Sequence, residues 1–286
     1  MPAPLTDLSR CSLHTMTTKP WSLAQAVDGY RRAGIPGITV WRQHLQAAGI
    51  DAGAKLLRAS GLTVTALCRG GFFPAVDRAG REKAIADNRQ AIDEAAAIGA
   101  PMVVLVCGAV PGLPLAEARR QIADGIAAVA DHARSSGVRL AIEPLHPSYA
   151  GDRSAINTMA QARRICQQFD LELPGSSAVD RKVVGIAADV YHIWWDDALE
   201  DELVLAGHHG WLHAFHVCDW KLVQSEMLND RGIMGEGCIP IRTIRGWAES
   251  AGFRGFNEVE IFSTKYWAED QDALVAKCAA AYLAAV

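Results

Sequence analysis

Several patterns that mark large functional classes are missing from this 286-residue chain. Its seven cysteines are odd in number, spread from Cys11 to Cys278, and never form a Cys-x-x-Cys pair. That argues against a disulfide framework or a thiolate zinc site, and a reducing cytoplasm is the expected setting. There is no basic excess, with 28 Lys and Arg against 32 Asp and Glu. Nucleic-acid binding draws most of its affinity from phosphate contacts, so no nucleic-acid partner is expected. No apolar run reaches the roughly 20 residues that span a bilayer. The start, MPAPLTDLSR, lacks the charged-then-apolar pattern of a secretion signal, and no membrane partner is expected. Neither of the glycine-rich nucleotide fingerprints, GxGxxG or GxxxxGK[ST], follows any apolar segment.

The residues present suit a large folded unit. Half are hydrophobic and 21% are charged, enough for a substantial core without staples. Short runs rich in Val, Ile and Leu, at 11–16, 37–41, 63–68, 102–107, 139–143, 183–189, 212–217 and 258–261, read as strands. Helical segments follow them at 22–33, 51–60, 82–98, 115–135, 157–168, 197–206, 241–250 and 268–284. Several of these helices end in glycine just before the next strand, at Gly34, Gly61, Gly99, Gly137 and Gly252. Eight such βα repeats without a break in composition predict one (β/α)8 TIM barrel over residues 1–286, with an open doubly wound sheet as the runner-up. Two long connections, 144–156 and 218–240, both follow a strand's C-terminal end, where barrel enzymes carry their sites.

Four late strands end in a hard metal ligand: Glu143 in RLAIEPLHP, Asp189 in VVGIAADVYH, His216 in LHAFHVCDW and Glu260 in EVEIFS. Side chains alternate between strand faces, so Ala141 lies under Glu143, Ala187 under Asp189 and Ala214 under His216. Three carboxylates and an imidazole suit one divalent ion, Mn²⁺ first, with Mg²⁺, Co²⁺ or Zn²⁺ as alternatives. Any one of these residues alone reads more simply as a helix cap or an ion-pair partner; the repetition on four successive strand ends points to a metal. Glu258, one layer deeper on the face of Glu260, is expected to be paired inside the barrel, with Arg139 as the candidate partner. His213 points away from His216 and is read as structural; His208 and His209 fit a helix C-terminus. His14, Trp41, Arg42 and Arg69 lie near the ends of the first three strands and could line the mouth. Trp194, Trp195, Trp220 and Trp267 suit either the apolar face of a sugar or the packing of loops.

With these motifs, IEPLHP, DVYHIWWD, FHVCDW, DRGIMGEG and EVEIFS, the chain resembles the sugar phosphate isomerase/epimerase family of the xylose isomerase-like TIM barrel superfamily, which also holds the endonuclease IV branch. The resemblance implies metal ligation by Glu143, Asp189, His216 and Glu260. It implies proton transfer by Glu143 and Glu260 from opposite sides of a carbon, and substrate contacts by His192 and Arg231. The expected activity is isomerisation or epimerisation of a ketose or keto-sugar by proton transfer through a metal-bound enediolate; a hydride shift on the same scaffold stays open. A lyase or deglycosylating enzyme acting on a 3-keto-glycoside is the alternative, with His146 and Tyr149 as acids for the leaving group. The nuclease branch carries additional histidines where this chain has Cys68, Cys107 and Gly232. No phosphate-binding glycine motif follows the last two strands, so a phosphorylated sugar is not favoured, and homo-oligomerisation is left open.

Overall fold

Segments such as Met102–Val106, MVVLV, bury every residue on both faces, which a strand achieves only with packing on either side of its sheet. The computed structural model describes residues 2–170 and 182–286, and in it eight strands, buried along most of their length, form a closed parallel barrel in sequence order. They are β1 (Cys11–His14), β2 (Gly37–Trp41), β3 (Thr63–Gly71), β4 (Met102–Val106), β5 (Arg139–Glu143), β6 (Val184–Asp189), β7 (Leu212–Val217) and β8 (Asn257–Val259). β8 returns to pair with β1, Ser12 opposite Glu258, which closes the ring and excludes the open sheet.

Helices Leu23–Arg32, Ile50–Ser60, Arg78–Ile98, Leu115–Ser135, Met159–Cys166, Leu199–His208, Ile241–Ser250 and Gln271–Ala285 cover the outside. Local chemistry sets their ends. Ser22 and Gln25 form a reciprocal capping box, and Asp77, Thr158 and Asp270 accept backbone N–H groups at three further starts. Asp270 starts the last helix later than the sequence pattern predicts, because residues 264–267 form a separate turn capped by Ser263. At the other end, Gly61 and Gly99 take φ of 75° and 73° with open space where a Cβ would lie, so the need there is conformational. Among the described residues no helix is long and apolar enough to cross a membrane.

The barrel interior is divided. Ala66, Met102, Val104, Ala141, Ala187 and Ala214 form a small apolar cluster, which places the alanines under the strand-end ligands as the alternation predicts. On the β1–β2–β3–β8 side the filling is polar. Thr39 and Thr65 donate to Glu258 Oε2 at 2.6 and 2.7 Å, and Ser12 lies 3.2 Å from both hydroxyls. Glu258 is thus satisfied by threonines; Arg139 lies beside His213 at the opposite, N-terminal end of the strands. His213 is buried, and neither ring nitrogen has a hydrogen-bond partner among the described residues.

Two strand ends depart from the sequence pattern. β3 continues past Cys68 to Gly71, and its pairing with β4 passes from Cys68 opposite Val104 to Gly70 opposite Leu105, leaving Arg69 as the extra residue. Asn88 pins this end, accepting from the Gly71 N–H at 2.6 Å and donating to the Gly71 carbonyl at 2.7 Å. β8 stops at Val259, one residue short of Glu260, whose N–H still donates to the Val217 carbonyl of β7 at 3.1 Å. The Thr17 hydroxyl takes the place of a ladder partner, donating to the Val259 carbonyl and accepting from Ile261 N–H, at 3.1 and 3.0 Å.

Candidate active site

Glu143 and Asp189 are the last residues of β5 and β6, His216 is the penultimate residue of β7, and Glu260 directly follows β8. The barrel brings them together: one ligand atom from each lies within 4.8 Å of the others, and all four are buried. Two ligands on one ion at about 2.0–2.2 Å stand at most about 4.4 Å apart, so the four groups would draw inward on an ion. His216 Nε2 is buried without a partner, and the mixed carboxylate and imidazole set is one that divalent ions of this class accept. The residues present therefore fit a single divalent ion.

Each member has a polar partner within or beside the cluster. His216 Nδ1 lies 2.9 Å from Glu143 Oε1. Asp189 Oδ1 accepts the Tyr191 N–H at 2.9 Å. Arg231 Nη1 donates to Asp189 Oδ2 at 3.1 Å and to Glu260 Oε2 at 2.9 Å. His14 Nδ1 lies 3.0 Å from Glu260 Oε1 and 3.2 Å from Trp41 Nε1, and its ring meets that of His216 edge-on at 4.7 Å. Burial pushes the Glu143 carboxyl up to about 7, opposed by His216 and reinforced by Glu260. Burial works against the charge on Glu260, but His14, Arg231 and His216 outweigh it and hold that carboxyl well below the usual range. For His216, burial lowers the pKa and the surrounding carboxylates more than reverse this, raising it to about 10.

A cavity of about 280 Å³ opens above the cluster, near the lower end for small-molecule sites. Glu143 and Glu260 form part of its wall; Asp189 and His216 stand behind them. Trp41, Phe262 and Trp267 make an aromatic side, with ring centroids 5.3 and 5.9 Å apart in sequence. His192 also lines the cavity. Arg231 Nη2 stands 3.2 Å from His192 Nε2, and a guanidinium can only donate, so Nε2 accepts and the ring proton is on Nδ1. That Nδ1–H has no partner among the described residues. Burial, then Arg231, lowers the His192 pKa well below its ordinary value, which keeps the ring neutral.

Arg231 is delivered by the long β7–β8 connection, folded around the buried Asp219. The Asp219 carboxylate accepts N–H groups of Trp220, Gly235 and Ile239 at 2.9, 2.8 and 3.0 Å, and Asp219 and Gly232 exchange backbone bonds. A Cβ at Gly237 would lie 2.1 Å from the Trp220 carbonyl. Gly235-Glu236-Gly237 is the turn that positions the arginine.

Other sequence candidates fall elsewhere. His14 is fully buried beneath the cavity and does not reach its wall, a position set by the β1–β8 closure. His146 caps a short turn and packs against Trp195 and Trp220, centroids 5.9 and 4.9 Å away, outside the cavity lining. Trp194, Trp220 and Tyr191 stack in the same loop cluster, and Trp195 donates to the His192 carbonyl at 2.8 Å, so these aromatics brace His192. Arg42 turns outward to Glu94 and Asp87 at 2.7 and 2.9 Å. His209 stacks on Trp211. Lys19 and Arg153, which the strand-end pattern passes over, do line the cavity. The signal for them is a cation in a loop beyond a strand's C-terminal end.

Comparison with known proteins agrees with the fold. The family described as xylose isomerase-like TIM barrel matches residues 27–281. A crystal structure of a protein from Sinorhizobium meliloti 1021 is 46% identical, covers 96% of this chain and 98% of its own, and superposes with a TM-score of 0.90. The IolI protein, solved with a binding zinc atom, is 19% identical over 96% of this chain and 97% of its own, at a TM-score of 0.81. The 3-keto-D-glucoside 4-epimerase YcjR from E. coli is 18% identical over 96% and 98%, at 0.73. At such identity the last two support the fold. No curated protein matches the chain.

Proposed function

The chain belongs to the xylose isomerase-like TIM barrel family, and on that premise we propose that it is a divalent-metal-dependent isomerase or epimerase of a ketose or keto-sugar. The observation that carries this reading is the division of the four ligands: Glu143 and Glu260 face the cavity from β5 and from the end of β8, while Asp189 and His216 stand behind. A divalent ion held by these four residues would supply Lewis-acid polarisation of the substrate carbonyl. Glu143 and Glu260 then act as the proton carriers, one removing the proton beside the carbonyl and the other returning it from the opposite wall. His192 offers its Nδ1–H to a substrate oxygen, and Trp41, Phe262 and Trp267 exclude water and carry the apolar face of the sugar. The relatives' names include an epimerase of a keto-glucoside and a zinc-binding protein, which fits this reading.

Elimination from a keto-glycoside is the second reading. It requires an acid at the leaving group, and the Tyr149 hydroxyl, buried at the cavity wall without a partner, favours it over His146. Solvent deuterium incorporation into a panel of ketoses and keto-glycosides, with and without Mn²⁺, tests both. Deuterium in recovered isomer supports epimerisation, and loss of a substituent supports elimination. Isomerisation without exchange would contradict proton transfer.

A further inference from the structure

Two arginines that line the cavity, Arg69 and Arg153, form no ion pair among the described residues, in contrast to the paired Arg231. Arg69 is the extra residue where β3 slips against β4, a device that re-aims a side chain, and its strand end is pinned by Asn88. It lies over the Phe72 ring at 4.2 Å. Arg153, in the β5 connection, stands 5.8 Å from the Tyr149 ring. Both are partly buried, both line the cavity, and neither forms an ion pair among the described residues. Asp152, the neighbour of Arg153 in sequence, is exposed and does not pair with it. Arg42 shows the contrast: one residue past its own strand end, it is spent on Glu94 and Asp87. Burial and then Arg153 lower the pKa of Arg69, as expected for two like charges sharing a half-desolvated wall. The Tyr149 hydroxyl, in the same cavity wall as both arginines, is buried and has no hydrogen-bond partner among the described residues. Lys19, over Trp267 at 4.3 Å, adds a third unpaired cation at the rim.

We infer that the substrate is an acidic sugar, with a carboxylate or phosphate seated on Arg69, Arg153 and the Tyr149 hydroxyl while its carbonyl end meets Glu143 and Glu260. The inference rests on the metal-dependent reading above in one respect. A divalent ion and Arg231 would offset Glu143, Asp189 and Glu260, so Arg69 and Arg153, which form no ion pair among the described residues, are left to meet an anion that a neutral sugar lacks. Planar guanidinium forks pair with either oxyanion, so the shared chemistry is an anionic group at the end of the sugar remote from the carbonyl.

The test uses the Mn²⁺-loaded full chain with D-fructose, D-fructose 6-phosphate and D-fructuronate. Binding is read by quenching of tryptophan fluorescence, and turnover by solvent deuterium incorporation. At least one anionic probe is expected to bind about ten-fold or more tighter than D-fructose, as charge-assisted pairing to two arginines implies. Which of the two does so identifies the anion. The Arg69→Gln, Arg153→Gln double variant is expected to bring that ratio to within about two-fold, and Arg153→Lys to retain part of it. In the unsubstituted protein, raising ionic strength is expected to weaken the anionic probe and leave D-fructose unaffected, which keeps the test valid if a variant misfolds. Equal binding of all three probes, or an anion preference that survives both the double variant and salt, would overturn the inference. An anion preference without deuterium exchange into any probe would leave the arginine site standing and contradict the proton-transfer reading. Exchange into D-fructose with no anion preference would do the reverse.

Discussion

The Arg231 guanidinium donates to the Glu260 carboxylate at 2.9 Å, and the same nitrogen reaches Asp189. The arginine is therefore tied to two of the four ligands as well as lining the cavity. Its family resemblance suggests a substrate contact alone; the geometry adds a role in holding the ligand set. Arg231→Ala is expected to weaken metal binding as well as substrate binding, the former by about ten-fold or more, as loss of a ligand's supporting partner commonly does. Calorimetric titration with Mn²⁺ measures this, and unchanged metal affinity would restrict Arg231 to the substrate.

Glu143→Gln and Glu260→Gln keep the shape of the wall and remove a proton carrier. Each is expected to lower turnover by at least about 10²-fold, the lower range for a positioned acid or base, with the far-ultraviolet dichroism unchanged. Normal turnover in either variant would remove it from the chemistry.

Thr17 supplies the two bonds that continue β8 beyond Val259. Thr17→Val leaves the Ile261 N–H and the Val259 carbonyl unmatched in a buried place, which costs about 1–3 kcal/mol. The same variant should loosen Glu260 and weaken metal binding. Chemical denaturation and metal titration on one preparation separate the two effects.

His213 gives the pH dependence of stability. Burial, with Arg139 adding, lowers its pKa to about 3 from the ordinary 6.5, so the folded ring is neutral. The unfolded chain takes up the proton first as pH falls. The stability associated with the neutral ring is full above 6.5 and is lost as pH drops from 6.5 toward 3. Because neither nitrogen has a partner, His213→Leu is expected to be at least as stable at pH 7 and to lose less between pH 6.5 and 4. Thermal unfolding across that range checks it; an unaltered acid profile would absolve His213.

Gly185 lies against the same ring, and an added Cβ would fall 2.4 Å from it. Gly185→Ala should destabilise the protein by about 1–3 kcal/mol, as overpacking of a rigid contact does. A midpoint shift in urea without a change in slope would show it.

The strand-end cluster was legible because its signals are local: an apolar alternation, a Glu, Asp or His at the end and, under Glu143, Asp189 and His216, an alanine two positions earlier. The barrel was legible for the same reason, through repeated strands and helix-closing glycines. What depends on closure was not. His14 sits on Glu260 only because β1 pairs with β8, far apart in sequence. Likewise Glu258 meets Thr39 and Thr65, where sequence spacing suggested Arg139. Arg42 and Arg69 look alike as cations one residue beyond a strand pattern. Only the helix Arg78–Ile98, which brings Asp87 and Glu94 to the first, and the irregular pairing of β3, which retains the second at the cavity, tell them apart. Asp219 carried no signal beyond its place after β7, since its role is to accept N–H groups from residues up to twenty positions away.

The central claim is that Glu143, Asp189, His216 and Glu260 hold a single divalent ion. Equilibrium dialysis against Mn²⁺ measures it most directly, applied to the chelator-stripped chain and to its Asp189→Ala and His216→Ala variants. The account predicts one ion per chain in the unsubstituted protein and loss of that binding in both variants. No bound ion, three ions per chain, or full binding in the variants would contradict it.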